Sequence, residues 1–322
     1  MRRLRAPWAR PVVVPAAELT VAEVLRRRLE GGRDDATLAL VVEGGGMRGV
    51  ISAAMAAELE LAGVTACLDL VVGTSAGAVN AAAVAAGAAE AMAASYADVF
   101  SAREYADPRR LLRGRPAVDT ARIVGATDAL LGIAQGALDA PVRLAAVATD
   151  VATAEAVALE ESDPESLLGA LQASGTLPLV GGPPVDLHGR QWLDGGIASA
   201  VPLAAARDLG ATHALVLTTR PAGSAPAWGW SDVLVERYLR RLNPDLATAY
   251  RERPERYAAE RAEMASGRHL GIATLVLSPG PYDAVPSRME RDADLLRVAA
   301  AGAAGTARRA LATELGLDRR SA

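Results

Sequence analysis

The chain has 322 residues, 51% of them hydrophobic, and 34 basic against 38 acidic side chains leave a net charge of -4. Such a length can bury a large core, so one main α/β domain with helical additions is expected. No long run of either charge is present to follow a phosphate backbone, which argues against nucleic acid as a partner. Cys67 is the sole cysteine, so no intrachain disulfide can form. The expected location is the cytoplasm, with Cys67 a small core residue.

Met1 to Arg10 is basic, but Val12, Val13 and Val14 lie between prolines and are too few for the apolar region of a signal peptide. Residues 1–36 read as a peripheral arm, with a short charged helix around Ala22 to Glu30 stopped by Gly31-Gly32. The core is expected over 37–220. Thr37 to Val42 predicts a strand, and Val50 to Ala62 a helix closed by Gly63. Leu68 to Val72 and Ala76 to Ala86 repeat that strand and helix.

The uncharged stretch from Leu70 to Ala89 has the length of a membrane span, yet it is mostly alanine and glycine with Thr74, Ser75 and Asn80 inside. It reads as buried strand, turn and helix. Further strands are expected at Leu144 to Ala148, Ala214 to Leu217 and Ile272 to Leu277, with a helix over Leu203 to Leu209. Val185 to Leu187 and Gln191 to Leu193 flank a hairpin turn at His188-Gly189-Arg190. Residues 221–322 read as a helical part of the same domain, charged and helical over Ser231 to Gly267 and helical again over Met289 to Leu315, carrying one more core strand. Serial strand and helix units predict a three-layer α/β/α sandwich around a mostly parallel sheet.

Gly73-Thr74-Ser75-Ala76-Gly77 has the Gly-X-Ser-X-Gly spacing between a strand and a helix. A serine at that bend has its hydroxyl exposed, while Gly73 and Gly77 let strand and helix approach closely. A serine needs a base to take its proton. His188, His213 and His269 read as solvated or capping residues. Asp194 in Trp192-Leu193-Asp194-Gly195-Gly196 is the other candidate, since Gly195 and Gly196 let a carboxylate face a neighbouring loop.

Gly44-Gly45-Gly46-Met47-Arg48-Gly49 leaves backbone amides open at a helix entry, which suits an oxyanion. Arg48 reads as a salt-bridged arginine at the helix start, or as an aid to an oxyanion or phosphate. The same six residues satisfy Gly-X-Gly-X-X-Gly, so a nucleotide-binding protein is the rival reading. That reading wants an acidic residue at the end of the second strand, and Asp69 lies before Val71 and Val72 instead.

Together, the loop at Gly44 to Gly49, the elbow at Gly73 to Gly77 and the triplet at Asp194 to Gly196 resemble the patatin-like phospholipase family. Ala148-Thr149-Asp150, Ala173-Ser174-Gly175 before Pro178, and Pro202 also look like family positions. Arg253-Pro254-Glu255-Arg256-Tyr257 and Ser287-Arg288-Met289-Glu290-Arg291-Asp292 are similar to one bacterial branch, so the likeness runs from Leu38 to the end. Glu43 stands where the family often has aspartate, and Ala200 where many members have asparagine, a change expected to loosen the Asp194 loop.

The resemblance implies a lipid acyl hydrolase with a Ser75–Asp194 dyad and an oxyanion loop, needing no metal and no cofactor. A catalytically silent binding module of the same fold is the remaining alternative. Lipid or a small ester would be the substrate. Trp228 and Trp230, near Val233, Leu234, Tyr238 and Leu239, are expected to pack in the core, with transient contact to a membrane surface as the other role.

Overall fold

The computed structural model describes residues 15–316. The readings on Met1 to Arg10 and on Val12 to Val14, and the end of the tail at 317–322, lie outside the described residues. The first half carries helix α1 (Val21–Leu29), strand β1 (Leu38–Val42), helix α2 (Val50–Leu61), strand β2 (Leu70–Thr74) and helices α3 (Ala76–Ala85), α4 (Ala89–Ser95), α5 (Thr120–Leu131) and α6 (Ile133–Asp139). Strands β3 (Arg143–Asp150) and β4 (Ala156–Leu159), helix α7 (Pro164–Gly175), strands β5 (Val185–Leu187) and β6 (Arg190–Asp194) and helix α8 (Leu203–Asp208) follow. The chain ends with β7 (His213–Leu217), α9 (Trp230–Leu242), α10 (Pro244–Ala265), β8 (Arg268–His269), β9 (Ile272–Leu277) and α11 (Ala293–Leu315).

The strands form one nine-stranded sheet ordered β5-β6-β3-β2-β1-β7-β9-β8, with β4 also on β3. Its centre, β3-β2-β1-β7-β9, is parallel, as serial strand and helix units require. Strands β4, β5, β6 and β8 are antiparallel additions. Alternate residues of β1 face opposite layers: Leu38, Leu40 and Val42 pack with α1, α2, α3 and α11, while Ala39 and Val41 meet α8 and α10. The α/β/α sandwich is therefore present.

Two expectations change. Helix α1 is capped by Thr20 and Glu23 and buries Val21, Val24 and Leu25 in the main core, so this part of the N-terminal segment is not a peripheral arm. Helix α11 begins only at Ala293, capped by Asp292, because the residues from Ser278 on run as a loop beside the site. The hairpin after β5 turns at His188 (φ 53) and Gly189 (φ 72), the two left-handed residues of a primed turn. The stretch from Leu70 to Ala89 is strand, turn and helix, and among the described residues no helix is long and apolar enough to cross a membrane.

Candidate active site

Strand β2 ends at Thr74, and the chain reverses into α3 through Ser75 at φ 57 and ψ −128. A left-handed, non-glycine residue of this kind stores about 1–3 kcal/mol of strain. The close packing shows why no side chain is tolerated at Gly73 and Gly77. A Cβ on Gly73 would lie 2.2 Å from the Gly77 carbonyl oxygen, and one on Gly77 would lie 2.4 Å from the Val42 carbonyl oxygen. The Ser75 amide donates to Ser174 Oγ at 2.8 Å, and Ser174 donates to the Val147 carbonyl at 2.6 Å.

Register brings the second group to the same level. Thr74 pairs with Val147 across β2 and β3, and Ala148 pairs with Asp194 across β3 and β6. Both strands lie on the edge of β3 opposite β4, so β6 takes over at Ala148 where β2 stops at Val147, and Asp194 follows directly beyond the end of β2. Gly195 makes the close approach possible, since a Cβ there would be 2.1 Å from the Val147 oxygen.

Asp194 is 5% exposed. Its amide donates to the Thr176 carbonyl at 2.9 Å, its carbonyl accepts from Thr149 Oγ1 at 2.9 Å, and its Oδ1 accepts the Gly196 amide at 2.6 Å. Oδ2 is buried without a partner of regular hydrogen-bond geometry. Burial raises the Asp194 pKa, and the Ser75 hydroxyl, the Gly196 amide and the charges of Arg288 and Arg253 partly offset that rise. Ser75 and Asp194 line the same cleft, and the serine hydroxyl is the first of the groups that favour the ionised carboxylate.

The loop after β1 is held on both sides. Its Gly44 amide donates to the Ala200 carbonyl at 3.3 Å, Met47 to the Arg288 carbonyl at 3.0 Å and Arg48 to Gly45 at 3.3 Å. The amides left without an acceptor among the described residues are those of Gly45 and Gly46, which line the same cleft as Ser75 and Asp194. Gly46 has φ +58, and a Cβ there would be 2.5 Å from the Arg288 oxygen. The Gly44 amide, expected to point at substrate, serves the Asp194 loop instead.

Arg48 departs from the expected salt bridge. It is buried and its Nε donates to Thr219 Oγ1 at 3.2 Å. Burial, then the charges of Arg220 and Arg288, bring its pKa down to about 10. Glu43 is buried as well. It accepts the Thr219 amide at 2.6 Å and the Tyr257 hydroxyl at 2.9 Å, with Arg261 3.8 Å away. The longer side chain here reaches α10, which ties the loop's base to that helix.

Two spaces meet at Ser75. One is an apolar cavity lined by Val79, Met92, Tyr96, Phe100, Ile123 and Leu171. The other is a cleft holding Gly45, Gly46, Asp194, Tyr250, Arg253 and Arg288. Tyr250, Arg253 and Arg288 come from the C-terminal third. Arg253 and Arg288 were legible only as parts of branch-specific motifs, with no role attached.

The histidines stand elsewhere. His188 pairs with Glu161, His213 is buried and bonds the Leu19 carbonyl at 2.9 Å, and His269 lies beside Glu263. A solvated or capping role therefore does not describe His213. Asp69 sits at the start of β2, at the far end from Ser75, where it pairs with Arg28 at 2.7 Å and accepts the Leu38 amide at 2.7 Å. Core packing does not describe the aromatic segment as a whole either. Trp230 is 81% exposed, with Val233 and Leu234 also exposed, whereas Leu239 is buried. Ala200 leaves the Asp194 loop tied down, since Thr74 Oγ1 donates to the Ser199 carbonyl at 3.1 Å and the Ser199 amide to Gly195 at 2.7 Å. Among the described residues no cluster of His, Cys, Asp and Glu could hold a metal.

A three-layer α/β/α sandwich with a strained serine between strand and helix is the architecture of an α/β protein carrying a Gly-X-Ser-X-Gly elbow. A family model described as patatin-like phospholipase matches residues 40–207, more than half of the chain. The chain belongs to the patatin-like phospholipase family, a family of lipid hydrolases. It is 30% identical over 230 residues to the uncharacterized protein YjjU of Escherichia coli (strain K12), covering 67% of this chain and 60% of YjjU. Among solved structures, VipD from Legionella pneumophila matches with a TM-score of 0.39 and 13% identity, over 85% of this chain and 67% of that one. The type III effector protein ExoU matches with a TM-score of 0.36 and 14% identity, over 85% and 53%.

Proposed function

We propose that the protein is a serine acyl hydrolase that cleaves carboxylic esters of lipids through Ser75 and Asp194. The observation that carries this reading is the position of Ser75. It is held in a strained turn where an apolar cavity meets an amide-lined cleft, facing a buried carboxyl whose pKa is raised.

In this reading the acyl chain lies in the apolar cavity and the ester carbonyl sits at Ser75. Asp194 accepts the Ser75 proton as Oγ bonds to the carbonyl carbon. The Gly45 and Gly46 amides stabilise the resulting oxyanion, each donor worth about 3 kcal/mol of barrier. Collapse breaks the bond to the alcohol, which leaves with the proton from Asp194. Water then attacks the acyl-enzyme, Asp194 accepts its proton and passes it to Ser75 Oγ, and the fatty acid is released. Burial favours this chemistry because it makes the carboxylate a stronger base than one in water.

The test is covalent labelling by a fluorophosphonate with turnover of a chromogenic acyl ester. Ser75→Ala is expected to lose both, and Asp194→Asn to lose turnover by roughly 10³-fold or more. Labelling at another residue, or undiminished turnover in either variant, refutes the dyad. A wild-type protein that neither labels nor turns over is instead a silent binding module of this fold.

A further inference from the structure

Arg253 enters the cleft from α10, and Arg288 from the loop between β9 and α11, both outside the 40–207 stretch that the family model matches. Arg253 is 8% exposed. Its guanidinium lies 4.3 Å from the centre of the Tyr250 ring, and its Nη2 reaches Asp232 Oδ1 only at 3.5 Å. That oxygen is already taken by the Tyr250 hydroxyl at 2.5 Å. Arg253 Nε is buried with no hydrogen-bond partner. A guanidinium has five N–H donors in a rigid fork, and a buried one left under-satisfied is costly.

Arg288 lies beside it, and the two cations disfavour each other: burial lowers the Arg253 pKa, and the Arg288 charge lowers it further. Two like charges sharing a cleft are reconciled by an anion that bonds both. A phosphate suits that task better than a carboxylate, because its oxygens point in several directions and each fork can take its own edge. With the acyl chain in the apolar cavity, the cleft is left for the alcohol side of the ester.

Resting on the hydrolase reading above, we propose that Arg253 and Arg288 form an anion subsite that selects esters bearing a phosphate on their alcohol portion over neutral esters of the same acyl chain. Arg253 supplies a buried, directional fork, and Arg288, exposed at the mouth, completes the clamp. Both are specificity residues for Ser75.

The test compares 1-decanoylglycerol 3-phosphate with 1-decanoylglycerol as monomers, since the two differ in the phosphate alone. The wild type is expected to favour the phosphate ester by about 100-fold in kcat/KM, and Arg253→Gln and Arg288→Gln to bring that ratio towards one, with Arg253→Lys restoring part of it. An equal loss on both substrates marks a structural role and overturns the subsite, as does a wild type without preference. Binding is read separately, in the Ser75→Ala background, by the rise in Tm with 1-decanoylglycerol 3-phosphate, with inorganic phosphate as the comparison. A rise that Arg253→Gln removes supports the subsite even if the wild type turns over neither ester, a result that would sink the hydrolase reading alone. An equal rise with inorganic phosphate identifies a free-phosphate site and overturns the substrate assignment.

Discussion

Ser174 Oγ accepts the amide of Ser75 at 2.8 Å and is itself buried, donating to the Val147 carbonyl at 2.6 Å. One side chain from α7 therefore fixes the backbone of the strained elbow against β3. Ser174→Ala leaves a buried amide and a buried carbonyl unpaired, at about 1–3 kcal/mol of stability. The expected outcome is a lower Tm together with slower fluorophosphonate labelling of Ser75, and labelling at the wild-type rate would show that the elbow holds without this bond.

In the proposed mechanism Asp194 links activity and stability to pH in opposite senses. Its pKa is raised in the folded protein, chiefly by burial. For a carboxyl of this kind the contribution to stability is complete below the unfolded carboxylate value and is lost as pH rises through the folded value. Asp194→Asn removes the titration while keeping an acceptor for the Gly196 amide. It is expected to melt a few degrees above the wild type at pH 8, the difference closing as pH falls below the carboxylate range. Turnover of the wild type should fall on the acid side with a midpoint above the ordinary carboxylate range, and a midpoint at or below that range would contradict a buried base.

Val79 projects from α3 into the apolar cavity at 6% exposure. Val79→Phe fills part of that space, and a lost methylene contact in a pocket is worth about 1–3 kcal/mol. Turnover of a hexadecanoyl nitrophenyl ester is expected to drop about tenfold relative to the butanoyl ester. Equal losses on both would place the acyl chain elsewhere.

Trp230, Val233 and Leu234 stand exposed on α9, whose residues Ser231, Asp232 and Val235 line the cleft. An indole at such a rim suits the boundary between water and lipid. Trp230→Ser is expected to weaken sedimentation with anionic phospholipid vesicles and to lower hydrolysis of vesicle lipid relative to a soluble ester. Unchanged vesicle sedimentation would leave the exposed tryptophan without this role.

Much of this arrangement was legible in the residues. The elbow could be read because Gly73 and Gly77 are demanded by contacts closer than a Cβ allows, and such demands leave glycines at fixed spacing. Strands β1, β2, β7 and β9 could be read because both faces of a central parallel strand are buried, giving short continuous apolar runs. What escaped depends on contacts between distant segments. The ladder carries no mark that the Gly44 amide is spent on Ala200, or that Arg48 meets Thr219 in place of a carboxylate. Helix α1 looked peripheral because it is short, carries three consecutive arginines and is stopped by Gly31-Gly32, while its four buried residues lie in its first five positions.

The bond from the Met47 amide to the Arg288 carbonyl also bears on how small a working version of this molecule can be. Trimming the chain to the segment shared across its family would strip away β7 and β9, along with the strap that braces the glycine turn. The shortened polypeptide would keep Ser75 and Asp194 and lose the brace that shapes the space around them.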